Sequence, residues 1–175
     1  MATTAAGTPY VEASDLVAGY PAVSLALANH IDTIGKVLQV VRVIVGSNTT
    51  TSTSLTDVSG ASITITPTSA TNIVMILAPS RWTTVTTPSA GIFNFGSLRI
   101  TDTANTVIAN ADAEFGSQNY SKTHVAANYG YSTLVGWDAP GSIAAKTYKA
   151  RFSSGETTSA FVVASMQLIA IEVAA

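Results

Sequence analysis

The sequence predicts an all-β protein, a sandwich or barrel of short antiparallel strands, and three observations carry that expectation. From residue 36 onward, β-branched and aromatic runs of strand length recur between Pro, Gly, Ser and Asn breakers. No run in that region has the apolar period of a helix. Ser and Thr supply most of the polarity, and they favour strands and turns over exposed helices.

The strands follow in order. Lys36 to Val45 is β-branched and too apolar for a surface helix. Ser47 to Asp57 reads as a Thr/Ser loop too polar to pack. Ser62 to Thr66 alternates with period two, and Asn72 to Ala78 is a continuous apolar run suited to a buried strand. Arg81–Thr87, Gly91–Thr101, Thr106–Ala109, His124–Trp137, Lys146–Phe152 and Ala160–Val173 complete the set. Pro67, Pro79, Pro88, Gly116, Pro140-Gly141 and Ser153-Ser-Gly155 are read as turns between them.

Two segments precede this region. Residues 1–20 are small and non-periodic, with Tyr10, Val11, Leu16, Val17 and Tyr20 as intermittent large side chains. Such a segment reads as an extended arm able to lie across a partner surface and anchor the chain there. Pro21 suits the first turn of a helix over residues 21–35. Leu27, Ile31, Ile34 and Leu38 step by four and three as in a short coiled coil, and isoleucine at both seam positions shifts preference towards trimers. An amphipathic helix packed on its own domain fits the same pattern.

Composition excludes several functions. The chain has 175 residues, 47% hydrophobic and only 10% charged, against about 25% charged in an ordinary soluble domain. A surface with so little charge is expected to be buried against other copies or other proteins. A net charge of −2 with eight scattered cations is expected to leave nucleic acid unbound. No apolar run is long enough to span a membrane as a helix. Met1 to Pro9 has neither a basic nor an apolar leader region, so no signal peptide is expected. Zero cysteines exclude disulfides and thiolate metal sites and fit synthesis in a reducing cytoplasm.

Convergent reactive groups are scarce. His30 sits beside the seam on a lone helix and reads as structural or solvent-facing, His124 lies in a strand with no acidic neighbour at ligand spacing, and no nucleophile elbow, metalloprotease pair or phosphate loop occurs. Asp112 and Glu114, read on a loop with Asn110, are too few for an oxygen cage. No enzyme activity, cofactor or metal is therefore expected. Trp82, Tyr120, Tyr129 and Tyr131 are candidates for surface recognition of a protein or glycan, with packing inside the sandwich as the competing role.

The stretch Ile63-Thr-Ile-Thr-Pro67-Thr-Ser69-Ala70-Thr-Asn-Ile73-Val-Met-Ile76 resembles the strand-turn-strand opening of bacteriophage structural proteins that end in a tumour-necrosis-factor-like jelly roll. Trp137-Asp-Ala-Pro140-Gly141, Lys146-Thr-Tyr148-Lys149 and Leu168-Ile-Ala-Ile-Glu172 resemble the same domain, as does the entry at Lys36, so the likeness spans most of residues 36–175. Asn72 departs from it, where such sequences often carry lysine, and is expected at the surface. The resemblance implies a jelly-roll sandwich over residues 36–175, assembled as a homotrimer, which favours the three-stranded seam. It also implies a virion location in a protein made in the host cytoplasm. The role expected is a capsid decoration or cement protein attached to the major capsid protein or another virion protein. A receptor-binding tail-fibre or head-fibre tip recognising a host glycan is the alternative.

Overall fold

The computed structural model describes residues 2–3, 9–10, 36–86, 92–119 and 126–175. Near the start of the arm, β1 (Ala2–Thr3) pairs antiparallel with β2 (Pro9–Tyr10), so the arm doubles back there. The predicted helix over 21–35 lies outside the described residues. The remaining strands are β3 (Val37–Val45), β4 (Asn48–Thr50), β5 (Thr56–Ile65), β6 (Ile73–Thr86), β7 (Ile92–Thr101), β8 (Val107–Asn119), β9 (Ala126–Asp138), β10 (Lys146–Ser154) and β11 (Ser159–Val173).

They form a jelly-roll sandwich. One layer runs β3-β11-β6-β9 and the other β8-β7-β10-β5, all antiparallel, with the short β4 beside β11 after β3. The layers join at one side through the pair Ala109 and Trp137. At the other side Asn48 closes the gap, donating from Nδ2 to the Ser59 carbonyl at 3.2 Å and accepting the Ser59 N–H at 3.0 Å. Those two bonds imitate a backbone ladder and make the sandwich nearly a barrel.

Period-two burial fills the space between layers. Val58, Ala61, Ile63 and Ile65 of β5 face Val74, Ile76 and Ala78 of β6 and Leu168 and Ala170 of β11, all in one buried cluster. Phe161 centres an aromatic group, with Phe115 at 6.2 Å, Phe152 at 6.4 Å and Trp82 at 6.5 Å between ring centroids. The Trp82 indole lies against Gly130, where a Cβ would sit 2.3 Å from Cζ2, so only glycine fits. Gly60 has φ +78° in a stretch where β5 carries extra residues opposite Ala150, a bulge that a side chain would strain. Tyr148, fully buried, donates its hydroxyl to Asp138 Oδ2 at 2.8 Å. Burial, then that bond and the Asp138 and Asp102 charges, push its hydroxyl far above the usual tyrosine value.

Several expectations need correction. Residues 47–57 are not all loop: β4 pairs with β11 and buries Thr50, because its hydroxyl bonds the Ser52 N–H and leaves no unmet polar group. Pro79 does not break the chain, since β6 runs through it as one strand. Pro79 keeps its place opposite Thr133 of β9, while β6 and β11 form no pair at residues 78 and 79, so the missing N–H removes no needed bond. Gly116 and Ser153 likewise lie within β8 and β10, held by pairing with β7. Asp112 and Glu114 stand on β8, and Asp112 accepts from Arg99 at 2.8 Å.

Asn72 is not a surface residue. It is buried and donates to Glu172, a fully buried carboxylate near the end of β11. Glu172 Oε1 accepts from Asn72 Nδ2 at 2.6 Å, the Thr68 N–H at 2.6 Å and the Thr68 hydroxyl at 2.9 Å, and Oε2 accepts from Gln39 Nε2 at 2.6 Å. Gln39 also donates to the Thr66 carbonyl at 2.7 Å. One carboxylate thus ties β3, the 66–72 turn and β11. Burial alone would raise the Glu172 carboxyl, but the bonds from Asn72, Gln39 and Thr68 outweigh it and lower its pKa from 4.5 to about 2.

A depressed folded-state pKa adds stability above the unfolded value, lost as pH falls through the folded one. Glu172→Gln should lower Tm at pH 7 by roughly 5–10 °C. The gap from wild type should narrow as pH falls from 4.5 towards about 2. Other carboxylates titrate in both proteins and cancel in the difference. Thermal melts by circular dichroism check this, and a gap constant over that range would refute it.

Candidate functional site

The two outer faces of the sandwich differ in chemistry. On the β8-β7-β10-β5 layer, one register row reads Asp112, Arg99, Arg151, Asp57. Arg99 Nε lies 2.8 Å from Asp112, Arg151 Nε 2.8 Å from Asp57, and Lys149 Nζ 3.0 Å from the other Asp57 oxygen. Burial opposes ionisation of Asp57, and the bonds and charges of Lys149 and Arg151 override it, so its carboxyl sits below the usual range. Half-exposed opposite charges across strands suit a face that meets water.

The outer face of β3-β11-β6-β9 is apolar. One row across four strands is Val40, Ile171, Met75, Trp137, and the next is Arg42, Ile169, Leu77, Val135. Val40 is 58% exposed and Trp137 49%. Val37 and Ile73 extend the patch beside Val173. Together these rows make a contiguous exposed apolar patch. Arg42 and Arg81 are the cations that project from this face, and among the described residues neither has a carboxylate within ion-pair distance.

Further along the same face the chemistry changes. The pairs Ile44–Gln167 and Pro79–Thr133 and the row Ser165, Arg81, Tyr131 border an open groove of about 560 Å³. Its lining is apolar over most of its area, from Ile44, Pro79, Met166, the Tyr131 ring and aliphatic stems, and the Thr133 and Ser165 hydroxyls, the Gln167 amide and the Arg81 guanidinium are set into it. Tyr131 is 82% exposed and Tyr129, two residues away on the same side of β9, 67%.

The predicted site residues fall in three groups. Tyr129 and Tyr131 stand together on the outer face. Trp82 does not join them: it stacks on Phe115 at 5.1 Å, packs against the core, and its Nε1 is buried without a partner among the described residues. Leu38 is the extra residue where the β3–β11 register shifts, so a helical seam cannot continue through it. Tyr10 lies on β2. Val11, Leu16, Val17, Tyr20, Leu27, Ile31, Ile34, His30, Tyr120 and His124 lie outside the described residues.

Sequence reasoning missed Val40, Met75, Val135, Trp137 and Ile171 as a patch. A signal was present. Ile73-Val-Met-Ile-Leu and Leu168-Ile-Ala-Ile are apolar at successive positions, although an antiparallel strand with one wet face alternates. Read that way, unbroken apolar runs in an antiparallel layer announce a second apolar face.

No protein family and no curated protein matches the chain. Among solved structures it is similar to the protein of particles derived from infectious bursal virus, with triangulation T=1, at TM-score 0.35 and 11% identity over 78% of this chain and 36% of that one. It is also similar to a mutant VP2 protein of infectious bursal disease virus, at TM-score 0.36 and 12% identity over 80% of this chain and 37% of that one. The Gx strain of that virus gives TM-score 0.33 and 10% identity over 78% and 37%. The chain spans little more than a third of the length of these proteins.

Proposed function

We propose that the chain is a non-enzymatic virion structural protein, a bacteriophage capsid decoration or cement subunit with a tumour-necrosis-factor-like knob. It assembles as a homotrimer through the outer face of β3-β11-β6-β9. The observation that carries this reading is the contrast between faces: ion pairs on one, apolar rows around Met75 and Trp137 on the other. The scarcity of charge, 10% of residues, fits a chain with a large covered surface. The sequence resemblance to phage proteins supplies the virion role by analogy.

The seam residues Leu27, Ile31 and Ile34 precede β3, the strand that opens the apolar face. A three-stranded helix there delivers three copies of β3 to a common axis, and the apolar rows continue the contact. Residues 1–20 then anchor the trimer to the major capsid protein or another virion protein, through Tyr10, Val11, Leu16, Val17 and Tyr20. The knob projects outward. No cofactor, metal, nucleic acid or membrane enters this function. The second reading, a receptor-binding tail-fibre or head-fibre tip, is favoured by the exposure of Tyr129 and Tyr131.

Light scattering after gel filtration should give about three subunits of 18.0 kDa each. Trp137→Glu puts a carboxylate into each copy of the contact and should yield a monomer that keeps its β-sheet circular dichroism, because Trp137 is half exposed within one chain. A monomeric wild type would overturn the assembly.

Attachment is tested separately. Deleting residues 1–20 should leave a soluble trimer that no longer co-sediments with particles lacking the protein. Undiminished binding by the truncated form would make the knob the attachment face and reverse its orientation.

A further inference from the structure

We propose that the groove between Arg81 and Tyr131 binds a carboxylate-bearing saccharide. The groove starts where the apolar rows stop, and its origin is local. Pro79 has no N–H, β6 and β11 form no pair at residues 78 and 79, and the β11 register shifts between Val163 and Ser165. The sheet surface is therefore interrupted there, while β9 stays in register with β6 and holds Tyr131 opposite Arg81.

The groups around the interruption match a sugar acid. Tyr131 is nearly free of protein contact at 82% exposure, so its ring offers a flat apolar face and its phenol a hydrogen bond. Tyr129 stands on the same side of β9, about 7 Å along the strand, and adds a second exposed ring. The Thr133 and Ser165 hydroxyls and the Gln167 amide line the groove and complement sugar hydroxyls. Arg81 supplies the discriminating charge. Among the described residues no carboxylate pairs with it, and a guanidinium fork holds a carboxylate through two parallel hydrogen bonds.

Other occupants fit less well. A protein partner draws on clustered large apolar anchors, and those lie in the Trp137 rows at the other end of the face. Nucleic acid needs a line of cations, and this groove holds one in a chain of net charge −2. The groove is formed within a single chain, so the site does not depend on the trimer.

The probes are trigalacturonate, sialyllactose and fully methyl-esterified trigalacturonate, with binding read by saturation-transfer NMR and titration calorimetry. At least one of the two acids should bind the wild-type protein, more weakly as salt is raised. The ester should bind less tightly than its acid. Arg81→Gln should weaken acid binding about tenfold or more and leave ester binding unchanged. Tyr131→Ala should weaken both, and Arg42→Gln neither. Both groove residues are exposed, so the variants should keep wild-type circular dichroism. Trp137→Glu should bind like wild type even as a monomer, which separates this site from the assembly. The proposal is overturned if neither acid binds at millimolar concentration, or if Arg81→Gln binds them as wild type does.

Discussion

Glu172 is a buried anion whose two oxygens are held by donors from Gln39, Thr68 and Asn72, without a cation among its bonded partners. Burying a carboxylate this way is tolerable only when every donor is in place. The donors come from β3 and from the turn that leads into β6, so satisfying the charge sets where β11 lies between those strands. Glu172 pairs with Gln39 on one side and Val74 on the other, and the next residue, Ile171, pairs with Val40 and Met75. A slip of one position would turn Glu172 outward and Ile171 inward, because side chains alternate with period two. The apolar row on the outer face and the polar clamp within are therefore two consequences of one register.

That register creates a layer apolar on both sides, which is unusual for an antiparallel sheet. The inner side is filled by the opposite layer. Hydrophobic burial on the outer side requires a further surface, and the other layer cannot provide it because its own outer side carries the Asp112, Arg99, Arg151, Asp57 row. The charged row suits that face to water and leaves the apolar rows on the other.

Much of the fold was legible in residues 36–175. Period-two segments such as Ser62–Thr66 announce strands, and the positive φ of Gly141 confirms the turn expected at Pro140-Gly141. Reading failed where tertiary context overrode local propensity. Pro79 reads as a break, yet the strand on one side needs no bond from it. Asp112 and Glu114 look like loop carboxylates because nothing nearby in sequence shows that Arg99, on the preceding strand, lies beside Asp112. Asn72 looks like a surface residue because its partner, Glu172, is 100 residues away. Tyr129 and Tyr131 stand out by residue type alone, and both are exposed on the outer face. Trp82 was not separable from them by type, since its burial depends on Phe115, Phe161 and the bare backbone at Gly130.

Pro79 also divides the outer face. On one side of it β6 presents Ile73, Met75 and Leu77 in register with apolar residues of β11 and β9, and the surface is continuous. Beyond it come Arg81 and Thr83, opposite Tyr131 and Tyr129, beside a stretch where β11 changes register. A continuous apolar sheet surface packs against a matching flat surface, which is what another copy of the chain offers. An interrupted surface leaves space between side chains, and polar groups at its edges can be satisfied by a hydroxylated ligand as well as by water. An uninterrupted β6 would carry the flat surface on towards the tyrosines. The proline therefore sets where the flat apolar surface ends and the groove begins, and it does so without breaking the strand that both regions share.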